Sequence, residues 1–408
     1  MRQYVLWLSI TLMSFGSALA SPNVFKIYLD ADRTGHFESA RSIEQGVKVA
    51  FAEVGNQING VPVEFVLTDH RGNAKRSKKN MERFLNDPDA LVFVAGMHSP
   101  PLIKYRDFIN QSGLLTLVPW AAGTPITRYP DGDNNYVFRL SVDDSKVGKI
   151  LVDYATEQAC KQPQLVLENT GWGKSNFKAM MAALPDSSNQ LVKTSWFDWG
   201  IKASDARVIV RQAQQEGADC LLMVSNAREG KIMIEAVSEV GAALPVYSHW
   251  GITGGQFATN VPYSMREKAG LRFVQSCFNF YSSQMSDFHR QVFRNAQQQF
   301  PDTFRQTNID APAGFVHGYD LSRVFIYAAS SVELSDDMVS NRKALKRALE
   351  NLPQPVQGLV KEYRRPFSPF SQNNVDAHEA LGSQDYCMAV YDEQNAVKLL
   401  QYKTTSSD

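Results

Sequence analysis

Two successive series of alternating strand-like and helix-like runs, with no flexible tether between them, predict an α/β protein of two Rossmann-like lobes with parallel sheets. The first series opens with a strand at Phe25 to Leu29. A helix follows at Ser39 to Val54, where Ile43, Val47, Ala50, Phe51 and Val54 recur at helical spacing. Then come a strand at Val63 to Leu67, a helix at Lys75 to Leu85 and a strand at Leu91 to Ala95. A helix at Pro100 to Asn110 and a strand at Leu114 to Val118 complete the series.

The second series follows Phe138 to Leu140. Its helices are expected at Lys146 to Glu157, Lys174 to Ala183, Ala203 to Glu216 and Gly230 to Val240. Its strands fall at Leu165 to Leu167, Val192 to Trp196, Cys220 to Val224 and Val246 to Ser248. No stretch rich in Gly, Pro or Ser divides the series, so short crossing strands should join the two units. After the run Leu271 to Phe280, helices at Ser286 to Phe300 and Ala313 to Val332 should return to the first unit. The run Tyr386 to Tyr391 should complete the second.

The chain has 408 residues, enough for two ordinary domains, and is 44% hydrophobic and 21% charged. Lys plus Arg and Asp plus Glu are 42 each, and no basic run is long enough to make nucleic acid or an anionic membrane the partner. Residues 1–20 read as a cleavable secretory signal: Arg2, an apolar stretch from Val5 to Phe15, then Ala18-Leu19-Ala20 before Ser21. Serine rather than cysteine after the cut argues against a lipid anchor, and no later segment is long and apolar enough to span a bilayer. Export makes disulfides possible among Cys160, Cys220, Cys277 and Cys387. Cys277 and Cys387, both in strand-like runs, are the favoured pair, with four free thiols as the other possibility.

Ligands of open parallel sheets sit beyond the carboxyl ends of strands, so the loops there hold the candidate site. In Gly96-Met97-His98-Ser99-Pro100-Pro101, Ser99 either offers a hydroxyl and helix amides to an anion or simply caps the helix. In Pro119 to Pro125, small residues let the backbone at Ala121 and Ala122 approach a ligand, and Trp120 is either a stacking wall or core filling. The second series supplies Trp172, Asn226 and Trp250 at three further strand ends, and aromatic walls with a few polar groups are what a small-molecule pocket needs.

Enzymatic signatures fail. Gly173-Lys174-Ser175 resembles half of a phosphate-binding loop, but the full pattern needs glycine at 168, and Glu168 there would repel phosphate. His378-Glu379 lacks its second histidine, no Gly-x-Ser-x-Gly elbow exists, and the seven histidines form no ligand-spaced cluster. Asp131 to Asn135 lacks the downstream glutamate of a calcium loop and reads as a solvated turn. No catalytic group, metal or cofactor is expected.

Taken in order, the Asp30 to Phe37 loop, Asn59-Gly60-Val61-Pro62, Gly96 to Ser99, Pro119 to Thr127, Phe138-Arg139-Leu140 and Trp172-Gly173 resemble the type I periplasmic solute-binding proteins. The resemblance is to the branched-chain amino acid and amide group that serves ABC importers. It implies two lobes joined by three crossing strands that close on a ligand. The implied division is residues 21–141 with 280–357 as one lobe and 142–279 with 358–408 as the other. It also implies that Ser99 and the backbone at Ala121 and Ala122 hold a ligand carboxylate and that Asp143 or Asp144 lies near the hinge. Trp172 would occupy a cleft aromatic's place, and Phe37 joins the expected lining. Amino acid binders of this group hold the ligand ammonium with a second-lobe acid, whose place here falls to Trp250. Ala122 stands where a hydroxyl is expected, and the aromatic expected near Asn226 is missing. An aromatic or otherwise amine-free carboxylate is therefore the expected ligand. The implied role is a monomeric periplasmic protein delivering that ligand to an ABC permease, with a membrane signalling receptor as the alternative partner.

Overall fold

The computed structural model describes residues 23–130, 134–185, 192–278, 285–304 and 309–400. The residues expected to form a secretory signal and the Asp131 to Asp133 part of the expected turn lie outside them. Among the described residues no helix is long and apolar enough to cross a membrane.

The first sheet has six strands in the order β2-β3-β1-β4-β5-β6: β1 (Phe25–Ala31), β2 (Gln57–Ile58), β3 (Val61–Asp69), β4 (Ala90–Ala95), β5 (Thr116–Val118) and β6 (Val137–Arg139). All pairs are parallel except the short β2 edge. The second has seven, in the order β15-β14-β11-β10-β9-β7-β8. Its parallel part is β7 (Pro163–Glu168), β8 (Lys193–Phe197), β9 (Cys220–Val224), β10 (Val246–Ser248) and β11 (Arg272–Ser276). The last two strands, β14 (Tyr386–Tyr391) and the edge strand β15 (Val397–Leu399), pair antiparallel. A separate hairpin pairs β12 (Val356–Gln357) with β13 (Glu362–Tyr363). β4, β7 and β9 are buried at every position, because helices cover both sheet faces.

The expected helices appear with small shifts, except that the run from Pro100 to Asn110 divides at Tyr105 (φ −112°, ψ 22°) into α3 (Ser99–Lys104) and α4 (Arg106–Gln111). The helix Pro312–Ala329 does return to the first unit, lying along α1 (Phe37–Ala52). Their closeness depends on missing side chains. A Cβ at Gly46 would sit 2.2 Å from the Phe315 carbonyl oxygen, and one at Gly318 would sit 2.7 Å from that of Ile43. Gly46→Ala should therefore cost about 1–3 kcal/mol by overpacking. A denaturation midpoint unmoved by this change would mean that the two helices separate freely.

The chain passes between sheets at three places: after β6, after β11 and before β14. Residues ahead of the last passage still belong beside the first sheet. Arg139 bridges to Glu379, and the Phe367 and His378 rings pack on Phe138 at 5.0 and 4.0 Å. The stretch from 367 to 379, expected with the second lobe, thus contacts the first, since the apolar ring of Phe138 needs that cover. Disulfides join Cys277 to Cys387, beside the crossing, and Cys160 to Cys220, with Cα separations of 5.0 and 5.8 Å. The favoured pair is present, and free thiols are not.

Candidate functional site

The carboxyl ends of both sheets face one another, and the loops leaving them enclose a cavity of about 10 Å3, room for one water-sized body. The first unit contributes Met97, His98, Ser99, Pro100, Trp120 and Ala122 to its wall. The second contributes Glu168, Thr170, Trp172, Trp199, Asn226, Trp250 and Gly251. Several contacts hold the two sides shut. The ring of Trp120 lies 5.7 Å from that of Trp250, and Trp199 lies 5.0 Å from His98. The amides of Thr124 and Gly255 donate across the gap to Ser175 and Ser39, at 3.1 and 3.0 Å.

On the first side, the Gly123 amide donates to Ser99 Oγ at 3.1 Å, which leaves the serine hydroxyl proton for an acceptor in the cleft. Arg139, fully buried, holds the same loop from behind through the carbonyls of Ala121 (3.3 Å) and Gly123 (2.9 Å). Asp144, the first residue of α5 (Asp144–Glu157), reaches the second side: its Oδ1 accepts from Trp172 Nε1 and lies against His249 Nε2, both at 3.0 Å. That bond fixes the Trp172 plane, and Gly251 packs beneath it, since a Cβ there would come 2.5 Å from the Trp172 ring. Gly173 answers the same kind of need: its Cβ would strike the Glu168 carbonyl, so this glycine serves a strand-to-helix turn rather than a phosphate.

Glu168 ends β7 and points its carboxyl group at the cleft. Oε1 accepts from the Asn226 amide (2.7 Å) and side chain (2.9 Å), and Oε2 accepts from Trp199 Nε1 (2.7 Å). Burial nevertheless pushes its pKa up to about 7. The Trp199 and Asn226 donors oppose the rise, nearby Glu229 adds to it, and His36 works against it. Among the described residues the wall contains no Lys or Arg. Four indoles and one carboxyl group without a cation are the electrostatic signature of this cavity.

Ser99, Trp120, Ala122, Trp172, Asn226 and Trp250 are thus brought together as expected. Ala121 stands behind the wall with its carbonyl on Arg139. Phe37 lies outside the cavity: it is half exposed at the start of α1, with the Arg41 guanidinium 5.3 Å above its ring. Sequence reasoning passed over Glu168, Trp199, His98, Met97 and Thr170. Glu168 had been noticed only as a defect in a phosphate loop. The premise of an amine-free ligand also changes, because the second unit does place a carboxyl group in the cleft, at the end of β7, two strands from the β10 loop that carries Trp250.

A family model described as periplasmic binding protein matches residues 26–380. No curated protein sequence matches significantly. Among solved structures, a type 1 periplasmic binding protein from Bordetella pertussis Tohama I has a TM-score of 0.73 at 15% identity, covering 92% of this chain and 99% of that one. A solute-binding protein of an ABC transporter from R. palustris, in complex with benzoate, also has a TM-score of 0.73 at 15% identity, with 92% and 95% covered. The branched-chain amino acid binding protein LivJ from Streptococcus pneumoniae, with isoleucine, has a TM-score of 0.71 at 15% identity, covering 92% and 99%.

Proposed function

Because the chain belongs to the type I periplasmic binding protein family, we propose that it captures a small, positively charged solute between its lobes and delivers it to an ABC permease. The observation that carries this is Glu168: a buried carboxyl group facing a cavity whose wall offers four Trp faces and neither Lys nor Arg. An uncompensated buried charge is costly, and a cation arriving with the solute removes that cost while the indole faces add cation–π attraction. A free carboxylate would find neither Lys nor Arg among the described wall residues, and the ionised form of Glu168 would oppose it. The two disulfides suit an oxidising compartment, in keeping with a periplasmic location. We place the lobe boundaries at the crossings after β6, after β11 and before β14, with residues up to 379 in the first lobe.

Thermal melting of the protein against a panel of amines, quaternary ammonium compounds, divalent cations and amine-free aromatic acids tests this reading. A cationic solute at a hundred times its Kd should add about 2.7 kcal/mol to stability. Stabilisation confined to amine-free acids would overturn the charge assignment and restore the ligand class expected from sequence.

A further inference from the structure

Three of the seven histidines, His36, His70 and His98, stand on the loops that leave β1, β3 and β4, so the parallel sheet gathers at one end what the chain keeps far apart. Two of them meet Asp32. Its Oδ2 lies 2.9 Å from His36 Nδ1 and 3.3 Å from His98 Nε2, and all three atoms fall within 4.8 Å of one another. A tetrahedral dication with bonds of about 2.0–2.1 Å spaces its ligand atoms by roughly 3.3 Å. The other carboxylate oxygen accepts from the Gly35 amide at 2.7 Å, which fixes the orientation of the group. His98 is also cavity wall, with Trp199 of the other lobe laid over it.

We propose that Asp32, His36 and His98 form a first-lobe site for one transition-metal dication of the zinc class, and that this ion is the positive charge the cleft receives. The inference rests on the reading that the cleft takes a cationic solute. Two imidazole nitrogens and one carboxylate oxygen favour zinc-like ions over magnesium or calcium. With the ion in place, Asp32 offsets one of its two positive charges, and the other is available to the ionised form of Glu168.

The test is calorimetric titration of the chelator-stripped protein with zinc chloride alone, with magnesium chloride as the hard-ion comparison. One equivalent of zinc should bind in the micromolar range or tighter and raise the melting temperature, while magnesium does neither. His36→Ala and His98→Gln should each weaken zinc at least tenfold, and cobalt(II) should give tetrahedral visible absorption that His36→Ala abolishes. His289→Ala, in the helix Asp287–Gln299 and away from the three ligands, should leave zinc affinity and the cobalt spectrum unchanged. His36 lies on a loop, so His36→Gln provides a second variant if alanine disturbs folding. Absence of saturable zinc binding, or binding untouched by both histidine variants, overturns the site. If zinc fails while an ammonium compound still stabilises the protein, the metal proposal falls alone. If neither acts, the cationic reading of the cleft falls with it.

Discussion

Arg139→Met is expected to destabilise the protein by about 3–5 kcal/mol, the range for removing one partner from a buried ion pair. The guanidinium is fully buried and forks onto Glu379, with Nε to Oε2 at 2.8 Å and Nη2 to Oε1 at 2.7 Å; Asp143 stands 3.2 Å away. Methionine would keep the apolar stem and remove the guanidinium from Glu379, which would retain only Thr127, from Asp143, which would retain Thr124, Ser145 and Arg128, and from two loop carbonyls. The damage should reach the cleft, because the same guanidinium positions the loop whose Gly123 amide holds Ser99. Denaturant unfolding should show a lower midpoint with an unchanged slope. Adding Glu379→Gln should recover part of the loss, since it removes one of the stranded charges. A single-variant loss below about 1 kcal/mol would mean that water reaches this junction and screens the pair.

What the sequence made legible follows from what each segment buries. Runs such as Leu91 to Ala95 are apolar throughout because helices cover both sheet faces, and they read as strands without ambiguity. The helix Met338–Glu350 went unread for the opposite reason. Its Arg342, Lys346 and Glu350 interrupt the apolar period, yet they are buried, with Lys346 paired to Glu350 at 2.6 Å. The cleft shows the same limit. Ser99, Trp172 and Trp250 were found because each stands in a strand-end loop of evident type. Asp32, His36 and His98 were not, because ligand spacing was sought along the chain and these residues converge only when β1 and β4 pair in register. Glu168 was judged against one chemistry, phosphate, and its acidity counted as a failure. Seen at the end of β7 against Asn226 and Trp199, the same acidity is the most informative charge in the cavity.

Glu168→Gln should weaken a cationic solute by on the order of a hundredfold or more, the lower part of the 2–5 kcal/mol range for losing one member of a buried charged pair. Its pH signature separates this from general damage. Burial raises the folded-state pKa from 4.5 to about 7, so the native protein holds a proton that the unfolded chain releases across that window. The stability this proton confers is complete below about pH 4.5 and lost as pH climbs through 7. In the metal-free protein the loss should approach about 3 kcal/mol at most, one pKa unit being worth about 1.4 kcal/mol. Glu168→Gln should flatten the difference, and the remaining groups facing this carboxyl, His36 and Glu229, stay in place as the common background. Binding should run the other way. A cation favours the ionised carboxyl, so affinity should rise between pH 5 and 8 in the native protein and lose that rise in Glu168→Gln. An amine-free acid would bind the protonated form and weaken over the same interval. The sign of that single slope, measured on the native protein, therefore decides which charge the cleft was built to receive.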